Sequence, residues 1–310
     1  MILAIDLGGT EVKIGWVDRD GALHAKTAAP VAFDGYRTPI QDTAITTAAR
    51  FRAENPAPLE GVAISACGQV DTDTGVVIGT NGKIPGYEGA NLKEQIERAF
   101  GAEAWALNDA DAALLGECFT GRAKGLRDVL MVTLGTGVGG GVLTGGRLLG
   151  GHRGIAGEIG HFTLRADGPP CPCGKRGCYE HYAATTALVR RCEERSGERG
   201  LDGRTIFRRV RQGDTACREA LEGWIQDIAE GLTGLVHLLN PEMVLIGGGV
   251  SAQEEYLIRP LRKAVVAGCM PRFAEGLKVE SAALGNEAGM IGAVRFWLNK
   301  TSDQQGASPV

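Results

Sequence analysis

Cys171, Cys173 and Cys178 fall within one eight-residue string, CPCGKRGC, and His161 precedes them. Three thiolates and one imidazole form a donor set that zinc takes in tetrahedral structural sites. Gly174 and Gly177 let the backbone fold tightly enough for Cys173 and Cys178 to face one ion. The alternatives are three unrelated thiols, or a disulfide with one thiol to spare. The density of the cluster favours a metal. Glu158 lies three residues before His161, and Glu180 lies two residues after Cys178. A metal at this point would fix two carboxylates in space.

A second kind of chemistry is written in glycine. Asp6-Leu7-Gly8-Gly9-Thr10 joins two strand-like runs. Glycines let backbone N–H groups approach a phosphate, and Thr10 adds a hydroxyl. Asp6, at a strand end, is placed to hold Mg²⁺ through its waters. Alone, this string reads as an ordinary hairpin turn. Gly135-Thr136-Gly137 repeats its character after another buried run. The string GTGVGG formally fits the dinucleotide fingerprint, but that motif must open a helix, and here a β stretch follows. Two such loops suit the phosphates of a nucleoside triphosphate. Gly247-Gly248-Gly249 follows a third buried run, in a place suited to an adenine or ribose lying on backbone, or to a tight β–α turn.

Asn108-Asp109 closes a short strand and opens a helix. Both residue types are good helix caps. The functional reading makes Asp109 a general base, because phosphoryl transfer to an alcohol needs a carboxylate that takes the hydroxyl proton. Asp111 is expected to be solvated on another part of the helix. Asn81, Glu158 and Glu180 are candidates to hydrogen-bond sugar hydroxyls. Lys13 and Lys83 are candidates for phosphate, although isolated lysines are more often surface residues.

The elements that must position these residues follow from hydrophobic pattern. Strands are expected at 1–7, 12–17, 22–28, 61–66, 104–107, 129–134, 142–143, 241–246 and 277–282. Helices are expected near 38–54, 90–100, 108–120, 180–196, 205–212, 215–239 and 287–299. Strand, glycine turn and strand thus open each half of the chain. The pattern implies an α/β protein of two domains, with the site in the cleft between them. The first domain is expected over 1–120, with the helix at 287–300 packing back on it. The second, over 121–286, carries the cysteine cluster. Residues 301–310 read as a flexible tail.

Composition bounds the partners. The 310 residues carry a net charge of −4, with 44% hydrophobic and 23% charged residues. A pI near 5.8 and no basic run argue against a nucleic-acid partner. No apolar run reaches the length of a membrane span. The opening MILAID is a strand and not a leader, so a cytoplasmic protein is expected. In that compartment the remaining Cys67, Cys118, Cys192, Cys217 and Cys269 read as packing residues.

With these strings assembled, the chain resembles the ROK family of sugar kinases, within the actin–hexokinase–heat-shock-70 superfamily. The resemblance runs from Ile5 to about Ala293 and rests on IDLGGT, NDADAALLGE, GTGVGGGV, GIAGEIGH, CPCGKRGCYE and NPEMVLIGGGVS. It implies two actin-like domains and ATP-dependent phosphorylation of a hexose, of glucose or N-acetylmannosamine type, at its 6-hydroxyl. A β-glucoside or another amino sugar is the alternative acceptor. Asp109 would be the catalytic base. Gly68, Asn81, Asn108, Asp109, Glu158, His161 and Glu180 would bind the sugar. Asp6, Gly8, Gly9, Thr10, Lys13, Gly135, Thr136, Gly137, Gly248 and Gly249 would bind ATP, with Mg²⁺ as catalytic cation. His161, Cys171, Cys173 and Cys178 would hold a structural Zn²⁺, and a homodimer is expected. Repressors of the same family carry a helix-turn-helix ahead of the first glycine loop, whereas here five residues precede Asp6. Departures occur at Glu11, where lysine is frequent, at Cys67, where proline is frequent, and at Ala184-Thr185-Thr186, where Ala-Ser-Gly is frequent.

Overall fold

The computed structural model describes residues 1–80, 82 and 84–304. They form two compact units. The first comprises Met1–Gly125, Leu148–Ala156 and the C-terminal stretch from Ala283; the second comprises Leu126–Arg147 and Gly157–Ala282.

The first unit is built on β1 (Ile2–Leu7), β2 (Glu11–Val17), β3 (Leu23–Pro30), β4 (Gly61–Ala66) and β7 (Ala104–Asn108), in the order β3-β2-β1-β4-β7. β1 to β3 are an antiparallel meander, and β4 and β7 join in parallel. Two short strands, β5 (Gln69–Val70) and β6 (Val77–Gly79), pair separately. β1 and β4 are buried along both faces apart from the partly exposed Asp6. Continuous apolar runs such as these mark strands covered on both sides. The helices of this part are α1 (Ile40–Glu54), α2 (Leu92–Phe100) and α3 (Asp109–Phe119).

The second unit repeats the plan. Its strands β8 (Val129–Leu134), β9 (Val138–Thr144), β10 (Arg147–Leu148), β11 (Met243–Gly247) and β12 (Lys278–Ser281) take the order β10-β9-β8-β11-β12. Again a hairpin comes first, and parallel strands follow. Its helices are α4 (Glu180–Ala183), α5 (Thr185–Ser196), α6 (Gly203–Arg211), α7 (Thr215–Leu239), α8 (Arg259–Gly268) and α9 (Pro271–Ala274). The last helix, α10 (Ala288–Gln304), belongs to the first unit, where it packs along α3. That contact is backbone on backbone. A Cβ on Gly292 would run into the carbonyl of Ala112, and one on Gly116 into the carbonyl of Ala288.

Several expectations change in detail. The first compact unit runs to Gly125, and in its last turn the Arg122 N–H donates to Glu117 at 2.8 Å. Residues Leu148–Ala156 return to it, and Gly154 lies against Thr72. The helix expected over 180–196 is interrupted at Ala184, whose backbone turns extended at ψ 153°. Residues 301–304 continue α10, where a frayed tail was expected; residues 305–310 lie outside the described residues.

Candidate active site

The first glycine loop is the turn between β1 and β2. Its N–H at Gly8 closes on the carbonyl of Glu11 at 3.0 Å. The carbonyl of Gly9 accepts from the Tyr36 hydroxyl at 2.7 Å, and that of Thr10 from the Val31 N–H at 2.9 Å. With these carbonyls drawn away, the N–H groups of Gly9 and Thr10 meet no acceptor among the described residues. Such a turn is a ready concavity for an anion.

Asp6 stands at the end of β1, opposite Lys13 in the antiparallel register. One carboxylate oxygen accepts from the Ser65 hydroxyl at 2.7 Å, and the other pairs with the Lys13 ammonium at 3.0 Å. Lys13 therefore reaches the site through Asp6. Ser65, fully buried on β4, is a partner of Asp6 that the sequence did not reveal. Its only advance signal was its place near the end of a buried strand.

Asp109 is the first residue of α3. Asn108 caps that helix: its side-chain oxygen accepts from the N–H groups of Ala110 at 2.9 Å and Asp111 at 3.3 Å. Its amide nitrogen donates to the carbonyl of Gly68 at 2.9 Å. The cap thus joins the start of α3 to the end of β4. Gly68 has φ +88°, a left-handed conformation, and a Cβ there would press on the carbonyl of Gly79. One oxygen of Asp109 accepts from the Ala110 N–H at 2.9 Å. Asp109 keeps solvent-accessible surface while protein surrounds it closely. That surrounding protein, and secondarily the charge of Asp6, push its pKa from 3.8 up to about 6. A carboxylate tuned in this way suits proton abstraction near neutral pH.

Asp111 departs from expectation: it is 2% exposed, turned into the protein and not solvated. Cys67, beside Gly68, has its thiol pushed up to about 12, by burial first and the Asp109 charge second. It lies against the hydroxyl of the buried Tyr87. Asn81 and Lys83 lie outside the described residues.

In the second unit, Gly135, Thr136 and Gly137 form the turn between β8 and β9, closed by the Gly135 N–H on the carbonyl of Gly137 at 3.0 Å. Gly248, at φ +89°, packs on the backbone of Leu134, the residue before that turn. A Cβ on Gly249 would meet open space. A ligand can approach the backbone there. The chain then passes through a wide π-type turn, Glu254–Ile258, before α8.

The cysteine–histidine cluster is formed. One ligand atom from each of His161, Cys171, Cys173 and Cys178 lies within 4.8 Å of the other three. The Cys171 sulfur is 3.6 Å from His161 Nδ1, and the Cys173 and Cys178 sulfurs are 3.5 Å apart. Zn–S bonds of about 2.3 Å in a tetrahedron give edges of about 3.8 Å, so the donor set and its spacing fit zinc. None of the eight cysteines is joined in a disulfide in this structure. A backbone N–H from Lys175 pulls the Cys173 thiol down to about 7, while burial raises Cys178 to about 12. His161 ends a single 3-10 turn, Ile159–His161, with Glu158 exposed just before it. With Nδ1 toward the sulfurs, Nε2 of His161 is left for another partner. Glu180 opens α4, and one of its oxygens accepts from the Val138 N–H at 3.0 Å.

Duplicated strand–glycine turn–strand plans, a carboxylate with a raised pKa on a capped helix and a Cys/His cluster whose donor set fits zinc make an α/β protein with features suited to phosphate. The chain belongs to the ROK family, whose sequence profile matches residues 2–300. It is 32% identical over 305 residues to a glucokinase of Thermotoga maritima, covering 94% of this chain and 95% of that one. To a kanosamine kinase of Amycolatopsis mediterranei it is 34% identical over 299 residues, covering 94% of each. Its structure is similar to that of a ROK family glucokinase from Streptomyces griseus in complex with glucose and AMPPNP. The TM-score is 0.81 at 31% identity, over 95% of this chain and 98% of that one.

Proposed function

We propose that this protein is an ATP-dependent hexose kinase that phosphorylates the 6-hydroxyl of its sugar. The observation that carries the reading is Asp109. It is a surrounded carboxylate with a raised pKa, with no cation paired to it among the described residues, at the N-terminus of a helix fixed by its own cap. Relatives matched over 94% of this chain include a glucokinase and a kanosamine kinase, and a similar glucokinase was solved with glucose and AMPPNP.

In the proposed reaction the sugar hydroxyl oxygen attacks the γ-phosphorus of ATP. Asp109 takes the hydroxyl proton, the bond to the β–γ bridging oxygen breaks, and ADP leaves. Backbone N–H groups of Gly9, Thr10, Thr136 and Gly137 hold phosphate oxygens as charge shifts among them. Asp6, whose carboxylate is fixed by Ser65 and Lys13, would hold magnesium through its waters, and the ion would neutralise phosphate charge. Gly248 and Gly249 offer backbone to the adenosine. Gly68, Asn81, Asn108, Glu158, His161 through Nε2, and Glu180 hold sugar hydroxyls. Zinc on His161, Cys171, Cys173 and Cys178 supplies a fixed loop and no redox or acid chemistry. The acceptor is a hexose of the glucose or N-acetylmannosamine type, with β-glucosides and other amino sugars as the next class. A homodimer in the cytoplasm completes the proposal, and sedimentation measures the first part of it.

Asp109→Asn tests the base. It keeps the side-chain volume and removes the proton acceptor. Turnover should fall by about 10²–10⁴-fold, while the sugar dissociation constant, read by calorimetry, stays within a few-fold. Retention of most of the turnover would remove Asp109 from the role.

A further inference from the structure

The segment that leaves the metal cluster also holds the second glycine loop. The grips fall on four consecutive loop residues. The carbonyl of Gly135 accepts from the Thr185 N–H at 2.8 Å, and that of Thr136 from the Thr186 hydroxyl at 3.2 Å. Gly137 lies so close to the Glu180 carboxylate that a Cβ would not fit. The Val138 N–H donates to Glu180 at 3.0 Å. Every grip comes from residues 180–186, which begin two residues after the ligand Cys178.

This segment is itself firmly seated. The Tyr179 N–H donates to the carbonyl of Phe162 at 2.9 Å, next to His161. The buried Tyr179 hydroxyl donates to the carbonyl of Ile228 at 2.9 Å. The indole N–H of Trp224 donates to the carbonyls of Ala183 and Ala184, each at 3.1 Å. One consequence concerns direction. With the carbonyls of Gly135 and Thr136 turned toward 185–186, the N–H groups of Thr136 and Gly137 meet no acceptor among the described residues. They are the donors left for an anion.

We infer that residues 180–186 are a positioning strap for the phosphate-binding turn, so that metal occupancy at the His161–Cys178 cluster sets affinity for the phosphoryl donor as well as for the sugar. Glu180 and Thr186 are the positioning side chains. The inference rests on the kinase reading above. It extends the cluster from a brace of the sugar-binding groups to a brace of the donor loop.

Calorimetric titration of the full chain with ADP, and separately with glucose, tests it. The samples are wild type with zinc, wild type after chelation with zinc content measured, Thr186→Val and Thr186→Ser. Losing one grip should weaken ADP binding by about 3–10-fold, with glucose binding within twofold. The serine variant, which keeps the hydroxyl, should bind ADP as wild type does. Chelated protein should lose affinity for both ligands and regain both when zinc is returned. Wild-type ADP affinity in Thr186→Val, or in folded chelated protein, would overturn the inference. If chelation unfolds the chain, the valine and serine pair decides alone. Should zinc-loaded wild type bind glucose but no ADP, the kinase reading itself fails and the strap with it.

Discussion

Asp109 is placed where its charge is costly, and that cost has a measurable direction. Its pKa rises from 3.8 to about 6 because protein surrounds it and Asp6 adds negative charge. Between those two pH values the unfolded chain gives up this proton before the folded one does. Stability from this group therefore declines as pH rises through the window. Asp109→Asn should accordingly melt at a higher temperature than wild type at pH 7–8, with the advantage gone by pH 4. Scanning calorimetry over that range checks it, and a variant less stable at pH 8 would contradict the assignment. The same shift would govern the proposed proton abstraction. The acid limb of kcat/KM for the sugar should bend near pH 6, activity rising with pH as Asp109 ionises. A limb near pH 4 would mean that the carboxylate is not held as described. Cys67 and Tyr87, packed together beside Asp109, complete this neighbourhood.

At the scale of elements, α3 carries Asp109, and α10 sets where α3 lies. The two helices meet through Gly116 and Gly292 with no space for a methyl group. Gly292→Ala should destabilise the fold by about 1–3 kcal/mol, and it should lower kcat more than it raises either KM, because a displaced α3 moves the proposed base. Urea unfolding together with steady-state kinetics reads both; an alanine variant with wild-type stability would show that the helices can separate freely. What the sequence disclosed at this scale was what is local. Buried runs such as VLMVTL, followed by glycine, announce a strand and its turn. The string CPCGKRGC announces its cluster. What it concealed depends on partners distant in sequence. Lys13 meets Asp6 only through strand register. Glu117 is wholly buried because the N–H groups of Ala283 and Leu284 reach it from the far end of the chain, each at 2.7 Å. The break at Ala184 carries no proline or glycine. At the break Trp224 donates to the carbonyls of Ala183 and Ala184, and the Thr185 N–H turns to the carbonyl of Gly135.

For the whole molecule, the repeated plan of hairpin followed by parallel strands gives each unit one glycine turn with open N–H groups. The second unit adds a Cys/His cluster that leads into the segment holding its turn. This duplication was legible from the two glycine strings, whereas the return of Leu148–Ala156 to the first unit was not, since no composition change marks it. Sugar identity belongs to this scale too, because relatives matched over 94% of this chain include both a glucokinase and a kanosamine kinase. The most direct test is an ADP-release assay with ATP and magnesium over glucose, N-acetylmannosamine, kanosamine and a β-glucoside, run on wild type and on Asp109→Asn. The account predicts sugar-dependent ADP release by wild type with at least one of these hexoses, its phosphate on the 6-oxygen by phosphorus NMR, and release slower by about 10²–10⁴-fold from the variant. No sugar-dependent release from folded, zinc-loaded wild type, or equal release from the two proteins, would contradict it.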